Sequence, residues 1–146
     1  MLIGVDPLLR GPLLAALDRM GHGDVLVICD ANFPANRIGA GVIDLPGVDG
    51  PWAARAICSV FPVDVTHPVQ LMQSSQSPLT DVQAELVAAL ADERVRVEIL
   101  DRFAFYAAAA AAQVVVATGE LRAFGNILIR KGTVLPFATS GPGAAR

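Results

Sequence analysis

Basic charge is scarce in this chain. Eleven Lys and Arg against fourteen Asp and Glu leave a net charge of −3, and only Arg130-Lys131 sets two cations side by side. Without a clustered basic face, the sequence does not read as a nucleic-acid binder. Long apolar runs are missing as well: none reaches the roughly 18 residues that a membrane-spanning helix needs. Near the N-terminus, Asp6 and Pro7 interrupt a segment with neither the basic nor the apolar region of a secretory leader, so a cytoplasmic chain is expected. Cysteine is limited to Cys29 and Cys58, each in an apolar stretch and without CxxC spacing. Reduced core thiols, not a disulfide framework, are the expectation. The two histidines, His22 and His67, are far apart and join no group of ligand spacing, which gives no metal site. Gly39 to Gly41 read GAG with no preceding strand and no third glycine, and GxSxG is absent, so neither a dinucleotide fingerprint nor a serine nucleophile is found.

Apolar residues are what the chain has in abundance, 53% of the sequence against 17% charged. That ratio is rich for a small soluble monomer and predicts surface hidden against further copies of the chain. A homo-oligomer is therefore expected. At 146 residues one domain is the default, long enough to bury about two thirds of its unfolded surface.

Along the chain, helical and strand patterns alternate. Asp6 is placed to cap a first helix with Pro7 following, Gly11-Pro12 restarts it, and Leu13, Leu14, Leu17 and Met20 form an apolar stripe that Gly21 closes. DVLVICD, 24–30, is a continuous β-branched run, the pattern of a strand covered on both faces. ANFPANRIGAGV reads as loop, VIDLPG as a short strand, and GPWAARAICSVFPVD as a helix opened by Pro51 and closed before Pro62. HPVQLMQ is a strand, LTDVQAELVAALADE a helix capped by Thr80, and VRVEIL a strand. DRFAFYAAAAAA is a helix, since alanine loses almost no side-chain entropy there. QVVVATG and NILIRKGTVLP are the last strands, with ELRAFG between them. The alternation predicts a single α/β layered domain over 1–137, with a loose Gly/Pro-rich tail at 138–146.

Polar residues just past the carboxyl end of a covered strand line the ligand crevice of such sheets. Asp30 stands there, either toward a ligand or capping the following loop. His22 lies in a glycine-flanked turn before the same strand, and its side chain is suited to proton transfer near neutrality. Alternatively it is an ordinary surface residue. His67 either begins its strand or faces a site. Arg102 and Asn126 stand at element junctions, each either a site residue or a solvated one. With His22 and Asp30 they supply an acid/base group, a carboxylate, a guanidinium and an amide, a set suited to a neutral polyhydroxyl ligand whose hydroxyls need donors and acceptors. Phe33, Phe105, Tyr106 or Phe124 can provide an aromatic face.

RMGHGDVLVICDANFPAN, DRFAFY and FGNILIRKG, in that order over about residues 8–134, resemble the RbsD/FucU family of sugar mutarotases, and its FucU branch of L-fucose mutarotases more than its RbsD branch. The resemblance implies a three-layer α/β/α sandwich, rings that pair as decamers, and a cofactor-free active site near a subunit interface. It implies that His22 is the proton-donating histidine and Asp30 a sugar-binding and catalytic aspartate. Arg102 matches the arginine of the FucU branch, while Phe124, Gly125 and Asn126 fall on a Tyr-Gly-Asn segment. The expected reaction is exchange of the anomers of L-fucose or a related monosaccharide, with no metal or cofactor. His22 protonates the ring oxygen, Asp30 holds or receives a hydroxyl proton, and Arg102 and Asn126 fix the sugar. Two positions depart from the pattern: Phe124 lacks the tyrosine hydroxyl, and Asn32 stands where a histidine is common. D-ribose pyranase and a non-catalytic monosaccharide-binding protein are the alternative readings.

Overall fold

Six strands join one sheet in the computed structural model, which describes residues 1–39, 41–76 and 78–135. The expected tail at 138–146 lies outside the described residues. The strands are β1 (Val25–Cys29), β2 (Val42–Leu45), β3 (Val69–Met72), β4 (Val97–Leu100), β5 (Val114–Thr118) and β6 (Ile127–Arg130), in the order β2-β5-β1-β6-β3-β4. β1, β2 and β5 run parallel, as do β3 and β4, and β6 runs antiparallel to both β1 and β3. Five strands therefore point one way, so their carboxyl ends and the start of β6 share one edge of the sheet.

Side-chain alternation along the strands feeds two cores. Leu26, Ile28, Val114, Val116, Ile127 and Ile129 pack with Leu13 and Leu17 of α1 (Gly11–Arg19), Ala53 and Ile57 of α3 (Gly50–Cys58), and Leu86 of α4 (Asp81–Ala89). On the other face, Val25, Val27, Cys29, Val115 and Leu128 pack with Ala35 of α2 (Ala35–Ile38) and Phe105 and Ala109 of α5 (Arg102–Ala109). This is the three-layer α/β/α arrangement expected. β1 is buried along its whole length, and each fully buried aliphatic side chain contributes about 1.5–3 kcal/mol.

Several boundaries differ from the sequence reading, each for a local reason. Asp6 caps a turn, accepting from the Leu8 amide at 2.9 Å, and the helix begins only at Gly11 with Pro12 in its first turn. Met20, not Gly21, is the residue that leaves α1, in extended conformation. The stretch read wholly as loop contains α2, four residues whose Ala35 packs under the sheet. Thr80 does cap α4, in a reciprocal box with Gln83. The long final strand stops at Arg130, with one further bridge from Lys131 to Val63. Beyond it the Gly132 amide bonds to Pro62 O at 2.8 Å, and a Cβ on Gly132 would lie 2.8 Å from Val63 O. β4 is an edge strand, with Val97 and Ile99 exposed. Cys29 and Cys58 are free thiols, and burial pushes each up to about 12. Among the described residues, no helix is long and apolar enough to cross a membrane.

Candidate active site

At the carboxyl edge of the sheet the chain leaves β1 at Asp30, which is almost completely buried. Its amide donates to Asn126 Oδ1 at 3.0 Å, and its Oδ2 accepts from Asn126 Nδ2 at 2.9 Å. Because an amide nitrogen only donates, the first bond fixes which way the Asn126 side chain faces. The other carboxylate oxygen, Asp30 Oδ1, accepts from the Asn32 amide at 3.0 Å. One bond to each oxygen leaves further acceptor capacity on both, as a hydroxylated ligand requires.

Around this carboxylate, Arg102, Phe33, Tyr106, Met72 and Phe124 line a cleft of about 270 Å³. Arg102 is brought there as the first residue of α5, whose cap Asp101 accepts from the amides of Phe103 and Ala104 at 2.9 and 3.0 Å. Phe33 meets Tyr106 edge to face with centroids 5.6 Å apart, and Phe105 at 5.9 Å. Thus Asp30, Arg102, Phe124 and Asn126, predicted separately from the sequence, are brought together. Both ends of the Asn126 amide are engaged by Asp30, with one N–H and one lone pair left over.

Phe124 has φ +67, a left-handed conformation that costs a bulky residue on the order of 1–3 kcal/mol. Neighbouring contacts hold it. The loop from β5 to β6 is tied to the end of β1 by Thr118 Oγ1 donating to Cys29 O at 2.8 Å and by the Ala31 amide donating to Glu120 O at 2.9 Å. Buried Glu120 accepts from Arg122 Nε and Nη2 at 3.0 and 2.9 Å, and from the Arg122 amide at 2.9 Å. These bonds, the guanidinium first, hold its carboxyl below the usual range against the opposing effect of burial. Gly125 follows where a Cβ would lie 2.9 Å from Glu120 Cγ. Glu120 and Arg122 were missed in the sequence, where ELRAFG carries only a loop pattern.

His22 is elsewhere. It lies before β1, at the amino edge of the sheet, so the five-residue strand separates it from Asp30 by at least about 13 Å. There it lines a second cleft of about 590 Å³ with Asp18, Phe61 and Lys131. The Lys131 ammonium is engaged by Leu17 O and Met20 O, both at 2.7 Å. His22 Nε2 lies 3.9 Å from Oδ2 of Asp64, whose side chain is 4% exposed while that of His22 is 63% exposed. Thr66 and His67 also bond to Asp64, Thr66 foremost, and hold its carboxyl below the ordinary carboxylate range. Among the described residues no group of three His, Cys, Asp or Glu is arranged to hold a metal ion.

Comparison with known proteins points the same way along nearly the full chain. An L-fucose mutarotase of Glaesserella parasuis is 38% identical over 146 residues, covering 95% of this chain and 99% of the relative. The crystal structure of FucU from Bifidobacterium longum superposes with a TM-score of 0.83 at 34% identity, covering 90% of this chain and 99% of that one. A fucose mutarotase of Streptococcus pneumoniae, solved in complex with L-fucose, does so with a TM-score of 0.83 at 28% identity, covering 92% and 100%. With residues 3–134 matching its sequence model, the chain belongs to the RbsD / FucU transport protein family.

Proposed function

We propose that the protein is a sugar mutarotase, an isomerase that interconverts the anomers of L-fucose or a closely related monosaccharide. The observation that carries this reading is the Asp30 cleft: a buried, pre-oriented carboxylate with spare acceptor capacity, a guanidinium and an aromatic wall in a space of about 270 Å³. Its size suits one small polar ligand. The relatives named L-fucose mutarotase and the fucose-bound neighbour support the choice of sugar.

Anomer exchange needs one group to give a proton and another to take one. Opening breaks the bond from C1 to the ring oxygen; the ring oxygen gains a proton from His22, and the C1 hydroxyl passes its proton to Asp30. Reclosure on the other face of the aldehyde returns both protons, so no atom is consumed. Arg102 and Asn126 fix the hydroxyls, Asn126 while it also orients Asp30. General acid–base assistance of this kind supplies about 10² to 10⁴-fold.

Since β1 holds His22 and Asp30 apart, the working site takes Asp30 from one copy and the His22 imidazole from a second. This makes assembly a condition of activity and accords with the apolar composition. The assembly is a homo-oligomer built as paired rings, a decamer, acting on a cytoplasmic monosaccharide without a cofactor.

Saturation transfer between the two anomeric proton signals of equilibrated L-fucose tests the reading. The expected result is faster exchange with protein than without, returning to the uncatalysed rate with His22→Ala. Unchanged exchange at saturating sugar overturns it, and exchange confined to D-ribose assigns the pyranase activity instead.

A further inference from the structure

Both histidines of the chain converge on one carboxylate. Asp64 Oδ1 is occupied by the Thr66 amide at 2.9 Å and by Thr66 Oγ1 at 2.6 Å. Oδ2 takes His67 Nδ1 at 2.7 Å, with Thr66 Oγ1 also 3.1 Å from that nitrogen. A carboxylate oxygen offers two acceptor directions, so Oδ2 has one left. The nearest titratable nitrogen to it besides His67 is His22 Nε2, at 3.9 Å. A shift of about 1 Å brings that nitrogen into hydrogen-bond range, and its mostly exposed ring, beside Gly23 at φ +86, has room to make the shift.

Resting on the reading of His22 as the acid, we propose that His67 is a positioning residue for the reaction. Through Asp64 it holds the oxygen onto which the His22 imidazole docks, so that Nε2 of His22 is pinned and Nδ1 carries the proton to the sugar. Thr66 alone satisfies the turn, through Oδ1. The His67 ring is 60% exposed and contributes little packing. Its bond to a buried carboxylate therefore acts on Oδ2, the atom that faces His22.

Around the pair, His22 shares its cleft with Asp18 and Lys131, with Asp24 on its own turn bonded to the Gly21 amide at 2.7 Å, and Arg96, from the segment leading into β4, donates to Thr66 O at 2.8 Å. Removing His67 leaves Oδ2 without the bond that fixes its direction, so the His22 imidazole loses the oxygen on which it docks.

The test is kcat and KM for anomer exchange in wild type, His67→Leu and His67→Asn. Folding and assembly are checked by circular dichroism and light scattering. For His67→Leu the expected result is a kcat about 10-fold lower, a fraction of what acid–base catalysis supplies, with KM unchanged. His67→Asn, which keeps a donor at the Nδ1 position, is expected to restore kcat. An unchanged kcat in His67→Leu, or a kcat that His67→Asn does not restore, overturns the proposal. If wild type exchanges no sugar, the reading of function fails separately. Imidazole nitrogen NMR of sugar-bound and free protein then decides this contact: His22 protonated at Nε2 in wild type and losing that preference in His67→Leu supports docking, and the same tautomer mixture in both defeats it.

Discussion

The two edges of the sheet carry chemically active residues under opposite conditions. At the carboxyl edge, Asp30 is buried, oriented by the backbone-anchored amide of Asn126 and enclosed by aromatic rings. At the amino edge, His22 is a mostly exposed side chain in a glycine turn beside an open cleft. One edge is built before a ligand arrives, and the other has freedom to move. On the proposed mechanism, a carboxylate that takes a proton from a hydroxyl it already holds gains from rigidity, whereas an acid that must approach the ring oxygen of a sugar held by a different copy gains from reach. Within one copy the two cannot meet, since β1 lies between them.

The strongest way to break this comparison is to disable one edge at a time. His22→Ala and Asp30→Ala are each expected to lower the exchange rate by about 10² to 10⁴-fold. Co-refolding the two inactive variants is expected to recover part of the activity, because some sites then receive an intact histidine edge from one variant and an intact aspartate edge from the other. Saturation transfer on the mixed and separate samples reads the outcome. No recovery in properly assembled mixtures would mean that both residues are required from the same copy, against the geometry of β1.

How much of this was legible in the sequence follows the same division. The strand run 24–30 and the DRFAFY helix start predicted where Asp30 and Arg102 stand, because both are ends of elements with clear periodicity. Asn126 and Phe124 were legible as a junction. Their tasks were not, since the reciprocal bonds between Asn126 and Asp30 span 96 residues of sequence. His22 was legible as a candidate, but that β1 holds it away from Asp30 of its own copy follows only from the strand between them. Asp64 sits just past a helix read as closed before Pro62, and its meeting with His22 depends on the bridge from Val63 to Lys131 and the paired turn at Gly132. Such contacts are tertiary and leave no local periodicity.

A smaller effect sharpens the claim that the carboxyl edge is rigid. Gly125→Ala puts a methyl 2.9 Å from Glu120 Cγ and 3.3 Å from Val82 Cγ2. Glu120 cannot easily yield, being held by Arg122. Overpacking of this kind costs about 1–3 kcal/mol, so a melting temperature lower by several degrees is expected, with weaker sugar binding because Phe124 and Asn126 flank the site. At Phe124 the two quantities separate. Glycine there relieves the left-handed strain and is expected to raise stability by up to about 1 kcal/mol, while the lost ring raises KM. Chemical denaturation beside saturation kinetics distinguishes the outcomes, and a destabilised Phe124→Gly would show that the ring's packing outweighs the strain.

The smallest expected effect concerns acid. Glu120 is held below the ordinary carboxylate range, chiefly by Arg122, so the folded state favours its charged form. Its contribution to stability is present above the unfolded value of about 4.3 and is lost as the pH falls through the lower folded value. Glu120→Gln is therefore expected to reduce the loss of stability between neutrality and about pH 3, measured by denaturation midpoints in wild type and variant. Asp64 is lowered in the same direction at the other edge, so Asp64→Asn must flatten the same curve. The two differ in what they carry: Glu120 braces the loop that presents Phe124 and Asn126, whereas Asp64 faces a histidine free to move. Acid below the ordinary carboxylate range should thus loosen sugar binding through Glu120 in wild type but less so in Glu120→Gln. An equal loss of affinity in both would leave Glu120 with no part in keeping the carboxyl edge in shape.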